Sequence, residues 1–264
     1  MHILEKKVRD AVSAGRYALI PFLTAGYPDE DAFWEDMGDL DKNGADVIEI
    51  GVPFSDPVAD GPVVENASRQ VLADGMSLAR IMQGLREHQG FFNAGLVLMG
   101  YMNPFLQYGF DKLAKECEEV GVSGMIIPDL PYEEAAPYRE ALKKHGVALI
   151  ALVGPNTSEE RMKLYADVSE GYIYVVSVMG VTGERSSVAP AVVSTMERAR
   201  RCFRQPLALG FGLSHPEQLQ ILPDSAQPDA AVFGSALLKH LAAGLPASEL
   251  MGRWTGENGR RFKK

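Results

Sequence analysis

"KNGADVIEIGVPFSDPVADGP", residues 42–62, passes from a polar segment through a glycine into an apolar run, then into a loop of prolines, glycines and aspartates. A left-handed glycine at the end of a helix is a common link to the next strand. Gly44 sits where such a link belongs. The run after it, "ADVIEIG", is apolar on both faces beyond Asp46, apart from Glu49. Strands with no polar face belong to parallel sheets that are covered by helices on each side. Two more passages have the same design, "EVGVSGMII" (119–127) and "KHGVALIAL" (144–152). They are the nearest thing to an internal repeat in the chain.

Working outward, the same kind of run recurs at 17–26, 45–51, 95–101, 123–129, 147–154, 171–178, 206–212 and 229–235. Helix-length segments lie between them. In residues 29–43, Phe33, Met37 and Leu40 share one helical face; in 133–145, Ala135, Tyr138 and Leu142 do the same. Ser77, Thr157 with Glu160, and Ser214 with Glu217 supply capping signals. Eight alternating units with no linker predict one (β/α)8 TIM barrel over 1–264, preceded by an N-terminal helix. A doubly wound open sheet is the alternative. It would usually have fewer strands and a glycine-rich turn after the first, where this chain has "TAGYP".

Composition fits an ordinary globular protein with a sizeable core: 46% hydrophobic and 23% charged residues in 264. The net charge of −9 argues against a nucleic-acid or anionic-membrane surface. No run approaches the length of a membrane span, and Met1–Ala18 has no signal-peptide core. The two cysteines, Cys117 and Cys202, lack any CxxC or Cys/His neighbourhood, which reads as a reducing, cytoplasmic setting without structural zinc.

A barrel of this kind places its chemistry at the C-terminal ends of the strands. Glu49, Asp60, Phe22, Tyr101, Asp129, Tyr172 and Tyr174 lie there. No lysine ends a strand, which removes Schiff-base aldolases. The histidines avoid strand ends except His215, and no metal-ligand set is present, so no metal is expected. Carboxylates and hydroxyls are left to move protons. Glu49 is an acid inside an apolar strand, where burial is costly unless the group is paired or protonated. A buried carboxylate satisfied by its neighbours is the competing explanation. Asp60 precedes a glycine and suits a turn equally well, and Asp56, between Ser55 and Pro57, reads as a turn former. Downstream, "GVTGE" (180–184), "GFGLS" (210–214) and "FGSA" (233–236) follow the last three runs. Glycines there let backbone N–H groups approach an anion, as in the recurring phosphate site of barrels, or they serve only as tight turns.

"PFSDPVADGP" after "IEIG", with "PFLTAGYPD", "YMNP", "IIPDLPYEE", "GVTG" and "GFGLS…FGSA", resembles the tryptophan synthase α-subunit family, collinearly from about Tyr17 to Leu241. The resemblance implies a lyase that cleaves indole-3-glycerol phosphate into indole and glyceraldehyde 3-phosphate without a cofactor. It maps the catalytic carboxylates onto Glu49 and Asp60, and the phosphate site onto Gly183, Phe211, Gly212, Gly234 and Ser235. Phe22, Gly100 and Tyr174 map onto the indole pocket. A mobile loop maps onto roughly 178–190, with Thr182 orienting Asp56 and Asp60 on closure. Two departures are visible: "SVMGVTG" lacks the basic residue common before "GVTG", and Glu65 stands where many members have Gln. A catalytically silent paralogue that activates a partner is the alternative role, against which intact Glu49 and Asp60 argue. An indole-glycerol-phosphate synthase or a phosphosugar isomerase would keep the barrel, but the former relies on strand-end lysines.

The resemblance also implies a partner, the pyridoxal-phosphate-dependent β subunit, in an α2β2 heterotetramer. Pro53, Asp56, Asn103 and Pro131 are expected at that interface. They lie in three proline-stiffened loops expected on one face, with Phe54, Phe105, Leu130 and Tyr132 expected to be exposed.

Overall fold

A computed structural model describes residues 1–176, 190–210 and 212–255. Nine parallel strands form its sheet: β1 (Ala18–Thr24), β2 (Val47–Gly51), β3 (Gly95–Met99), β4 (Val122–Ile126), β5 (Ala148–Leu149), β6 (Ala151–Val153), β7 (Ile173–Val176), β8 (Leu207–Gly210) and β9 (Ala230–Phe233). Their order is β5-β4-β3-β2-β1-β9-β8-β7-β6. The two ends are one stave interrupted at Ile150, which donates its N–H to the Met125 carbonyl. The nine strands are therefore the eight expected staves, and the sheet curls into a nearly closed barrel. The run at 147–154 splits because β5 pairs with β4 while β6 pairs with β7.

The helices are α1 (Ile3–Ser13), α2 (Glu30–Lys42), α3 (Pro62–Ala73), α4 (Leu78–Glu87), α5 (Met102–Tyr108), α6 (Phe110–Val120), α7 (Ala136–Lys144), α8 (Glu159–Ala166), α9 (Pro190–Cys202), α10 (Glu217–Gln220), α11 (Ser235–Ala242) and α12 (Ala247–Thr255). The helical periodicity reads correctly: α2 buries Phe33, Met37 and Leu40. Gly44, Gly121 and Gly146 have φ of 98°, 83° and 66°, the left-handed links expected of them.

Capping is less faithful to the sequence. Ser77 caps α4 by accepting from Arg80 N–H. The cap of α8 is Ser158, not Thr157, whose hydroxyl instead accepts from Gly154 N–H. Ser214 caps nothing, because α10 begins after Pro216 and the Gln218 amide oxygen accepts from the Ser214 and His215 N–H groups.

Strands buried on both faces generate two cores. The outer one lies between sheet and helices. The inner one fills the barrel with Ala18, Ile20, Val47, Val97, Ile126 and their neighbours, and α1 plugs its lower end with Leu4, Val8 and Ala11. Leu4 fits because Gly95 and Gly124 lack side chains; a Cβ on either would lie 2.5 or 2.7 Å from it. With the N-terminal mouth closed, the lumen can open only at its C-terminal mouth. Leu4→Ala is expected to destabilise the protein by about 2–5 kcal/mol, measured by urea denaturation, since the glycines around it cannot fill the space.

Candidate active site

Glu49 is the third residue of β2, facing the barrel interior with Val47. It sits beside Phe22 on β1 and Val97 on β3, and it is 0% exposed. Tyr172, just before β7, reaches across the lumen and donates its hydroxyl to Glu49 Oε1 at 2.7 Å. Glu49 Oε2 is buried and has no hydrogen-bond partner among the described residues. Burial pushes the carboxyl up from 4.5 to about 8, against the opposing pull of the Tyr172 hydrogen bond. At neutral pH the group is protonated.

Carboxylates at the opposite end of the barrel make a useful contrast. Asp46, just before β2, takes two hydrogen bonds from Arg16 at 2.6 and 2.8 Å and one from Leu19 N–H. Asp229 likewise accepts from Arg200 and from Leu207 N–H. Those acids are fully tied into the fold. Among the described residues one of the two oxygens of Glu49 has no such tie, which argues against a buried carboxylate satisfied by its neighbours. A buried polar atom left unpaired calls for a functional reason.

Asp60 ends the stiff loop that precedes α3. Burial raises it from 3.8 to about 6, and a hydrogen bond from Tyr101 opposes the rise. The Tyr101 hydroxyl also accepts from Ala59 N–H at 2.9 Å, and its ring packs 5.3 Å from that of Phe54. Tyr101 thus straps the loop to the end of β3. The prolines alone do not aim Asp60. Tyr101→Phe is expected to raise the Asp60 pKa further, because the opposing hydrogen bond is lost, and to move the acid limb of the pH–rate profile upward.

Phe22, Gly100 and Asp60 line one recess, with Thr24, Gly51, Met99 and Tyr101. Glycines make room for the aromatic rings around it. A Cβ on Gly51 would lie 2.4 Å from the Phe22 ring, and one on Gly210 would lie 2.3 Å from the Tyr174 hydroxyl. Tyr174 is buried, and the charges of Glu49 and Asp60 help to raise its pKa, so it belongs to the same neighbourhood. Gly234 lies under Phe22, where a Cβ would come within 2.8 Å of the ring. Ser235 opens α11, and Gly212, with φ of 92°, follows β8. Thr182, Gly183 and Phe211, and the loop at 178–190 except its last residue, lie outside the described residues.

The expected docking loops are placed unevenly. Asn103 and Pro131 are exposed, as is Asp56, which accepts a hydrogen bond from Ser55. Pro53 is buried. Phe105 is also buried, contrary to expectation, because the missing side chain of Gly100 lets its ring pack inward. The exposed apolar residues of these loops are instead Val58 and Leu106, at 86% and 50%. Asp129 serves as a tie, both its oxygens accepting from Met102 N–H at the start of α5. Tyr172 and Tyr101 were visible as strand-end tyrosines. Their roles were not, since a hydroxyl's partner across a barrel leaves no local pattern.

No group of three or more potential metal ligands occurs among the described residues, and none of their helices is long and apolar enough to cross a membrane.

Comparison with known proteins places this geometry. The family model for the tryptophan synthase alpha chain matches residues 8–258. The chain is 64% identical to the tryptophan synthase alpha chain of Desulfovibrio desulfuricans, covering 96% of this chain and 100% of that one. It is 56% identical to that of Nitratidesulfovibrio vulgaris, covering 95% and 97%. Among solved structures, Mycobacterium tuberculosis tryptophan synthase superposes with a TM-score of 0.89 at 32% identity, covering 99% of each chain. A barrel plugged at one end, with two acids of raised pKa at the other, is thus matched along nearly its whole length, and the chain belongs to the tryptophan synthase alpha chain family, lyases that cleave indole-3-glycerol phosphate in tryptophan biosynthesis.

Proposed function

We propose that Glu49 and Asp60 together carry the retro-aldol cleavage of indole-3-glycerol phosphate. Glu49, protonated at neutral pH, gives its proton to C3 of the indole ring. As positive charge develops on the ring, the ionised Asp60 accepts a hydrogen bond from N1–H and stabilises it. The Glu49 carboxylate then takes the proton of the side-chain hydroxyl. The C3–C3′ bond breaks, its electrons return to the ring, and the hydroxyl carbon becomes the aldehyde of glyceraldehyde 3-phosphate. Atoms and charge balance with no cofactor. The observation that carries this reading is the fully buried Oε2 of Glu49, unpaired among the described residues, beside the recess of Phe22 and Asp60.

Phe22, Gly100 and Tyr174 would hold the indole ring. Backbone N–H groups at Gly183, Gly212, Gly234 and Ser235 would hold the phosphate, with Phe211 beside them and Thr182 orienting Asp60. We read 1–264 as one barrel domain. Its cysteines are free thiols, which suits a cytoplasmic enzyme.

The partner we propose is the pyridoxal-phosphate-dependent β subunit, in an α2β2 assembly. Exposed Asn103, Pro131 and Asp56 would meet it, with Val58 and Leu106 adding apolar contact, while buried Pro53 would hold its loop in shape. Released indole is apolar and neutral, and covering the open mouth keeps it from bulk water. The test is direct. The purified chain is incubated with indole-3-glycerol phosphate, indole is followed, and the β chain is then added. Indole formation that rises on co-migration with the β chain supports both parts. No indole under either condition would refute the lyase assignment, and indole without co-migration or activation would refute the partner alone.

A further inference from the structure

Between α7 and α8 the outer wall of the barrel opens into a cleft of about 420 Å³. Its floor is the split stave. Leu149 and Ala151, on its outer face, are only partly buried, whereas β1, β2, β8 and β9 are buried along their whole length. Helices normally cover such residues in a parallel barrel. One wall is aromatic: the rings of Tyr132 and Tyr165 stand 5.3 Å apart, tilted by 39°.

Several polar groups at the rim are committed to one another or to the backbone. The Tyr165 hydroxyl accepts from Arg161, and Arg161 also pairs with Glu133. Asp129 is held by Met102 N–H. Arg139 lies 5.9 Å from the centre of the Tyr132 ring, and no carboxylate among the described residues pairs with it. A site of this volume, apolar below with a guanidinium at its rim, has the form of a small-molecule pocket. A planar guanidinium over a ring can hold a carboxylate through two parallel hydrogen bonds. An inorganic anion would leave the apolar floor uncovered, and a neutral ring would leave the cation unused.

We propose that this cleft binds a small aromatic carboxylate, with its ring on Leu149 and Ala151 against the two tyrosines and its carboxylate on Arg139. The floor that would carry the ring lies on the outer face of the barrel. Leu149 and Ala151 belong to the outer core, whereas Glu49 and Tyr174 face the lumen.

The test is calorimetric titration of the full chain with 2-naphthoate and with uncharged 2-naphthamide. The acid is expected to bind saturably, one per chain, about tenfold more tightly than the amide. Arg139→Gln should weaken the acid about tenfold and the amide less than about twofold. Val168→Trp, which fills the cleft from a partly exposed position, should weaken both. The absence of saturable binding by the native chain would overturn the proposal, as would unchanged naphthoate affinity in Arg139→Gln. Should Val168→Trp fail to fold, the Arg139→Gln comparison decides alone.

Discussion

Replacing Glu49 by glutamine is expected to remove indole release and, at alkaline pH, to make the protein more stable. Glutamine keeps the size and one hydrogen-bond acceptor for Tyr172 but has no proton to give. A single acid–base contribution is worth about 10²–10⁴-fold, and Glu49 moves two protons in the proposed cycle, so the loss should fall at the upper end of that range. The stability effect follows from linkage. Burial raises the folded-state pKa of Glu49 from 4.5 to about 8. Stability tied to the protonated group is therefore fully present below 4.5 and falls as pH rises through 8. A displacement of this size corresponds to several kcal/mol, on the order of 3–5, most of it lost by pH 9. The glutamine side chain cannot ionise, so the variant escapes that loss. Urea denaturation at pH 5 and pH 9 reads the difference: the variant should match the parent at pH 5 and exceed it at pH 9. A variant less stable than the parent at both values would contradict the burial argument.

Asp60→Asn is the second large effect. Asparagine can still accept from Tyr101, so the strap that holds the loop survives, but the negative charge opposite the developing positive ring is gone. Removing one such electrostatic contact costs about 10²–10³-fold in kcat. Since burial already raises the Asp60 pKa, the loss of its charge should not weaken the fold. The expected signature is low kcat with an unchanged melting temperature. Asp60→Glu keeps the charge but adds a methylene to a loop pinned at Ala59, and should retain part of the activity. Wild-type turnover by the asparagine variant would remove Asp60 from the mechanism, and unfolding of that variant would mean that Asp60 is structural.

Much of this was legible in the sequence for physical reasons. Parallel strands buried on both faces write themselves as apolar runs, and Gly44, Gly121 and Gly146 mark three of the returns to the sheet. Glu49 stood out because an acid within such a run has no inexpensive explanation. The interruption at Ile150 was not legible, since "VALIALVG" is uniformly apolar and the break depends on which neighbour each half pairs with. Leu4 as the plug was hidden too, because it depends on Gly95 and Gly124, far along the chain. The same holds for Tyr172 and Tyr101: each acts on an acid that only the closed barrel brings within reach. Phe105 reads as exposed because a proline-stiffened loop suggests surface, and nothing local shows that Gly100 opens a space behind it.

The most direct test of the central claim, an acid at Glu49 working with an ionised Asp60, is the dependence of kcat/KM for indole release on pH from 5 to 10. With Asp60 at about 6 and Glu49 at about 8, the rate should rise as Asp60 ionises and fall as Glu49 loses its proton, giving a bell with limbs near those values. Tyr101→Phe should move only the acid limb upward. A profile that is flat across this range, or that rises without falling above pH 8, would contradict the assignment of Glu49 as the proton donor.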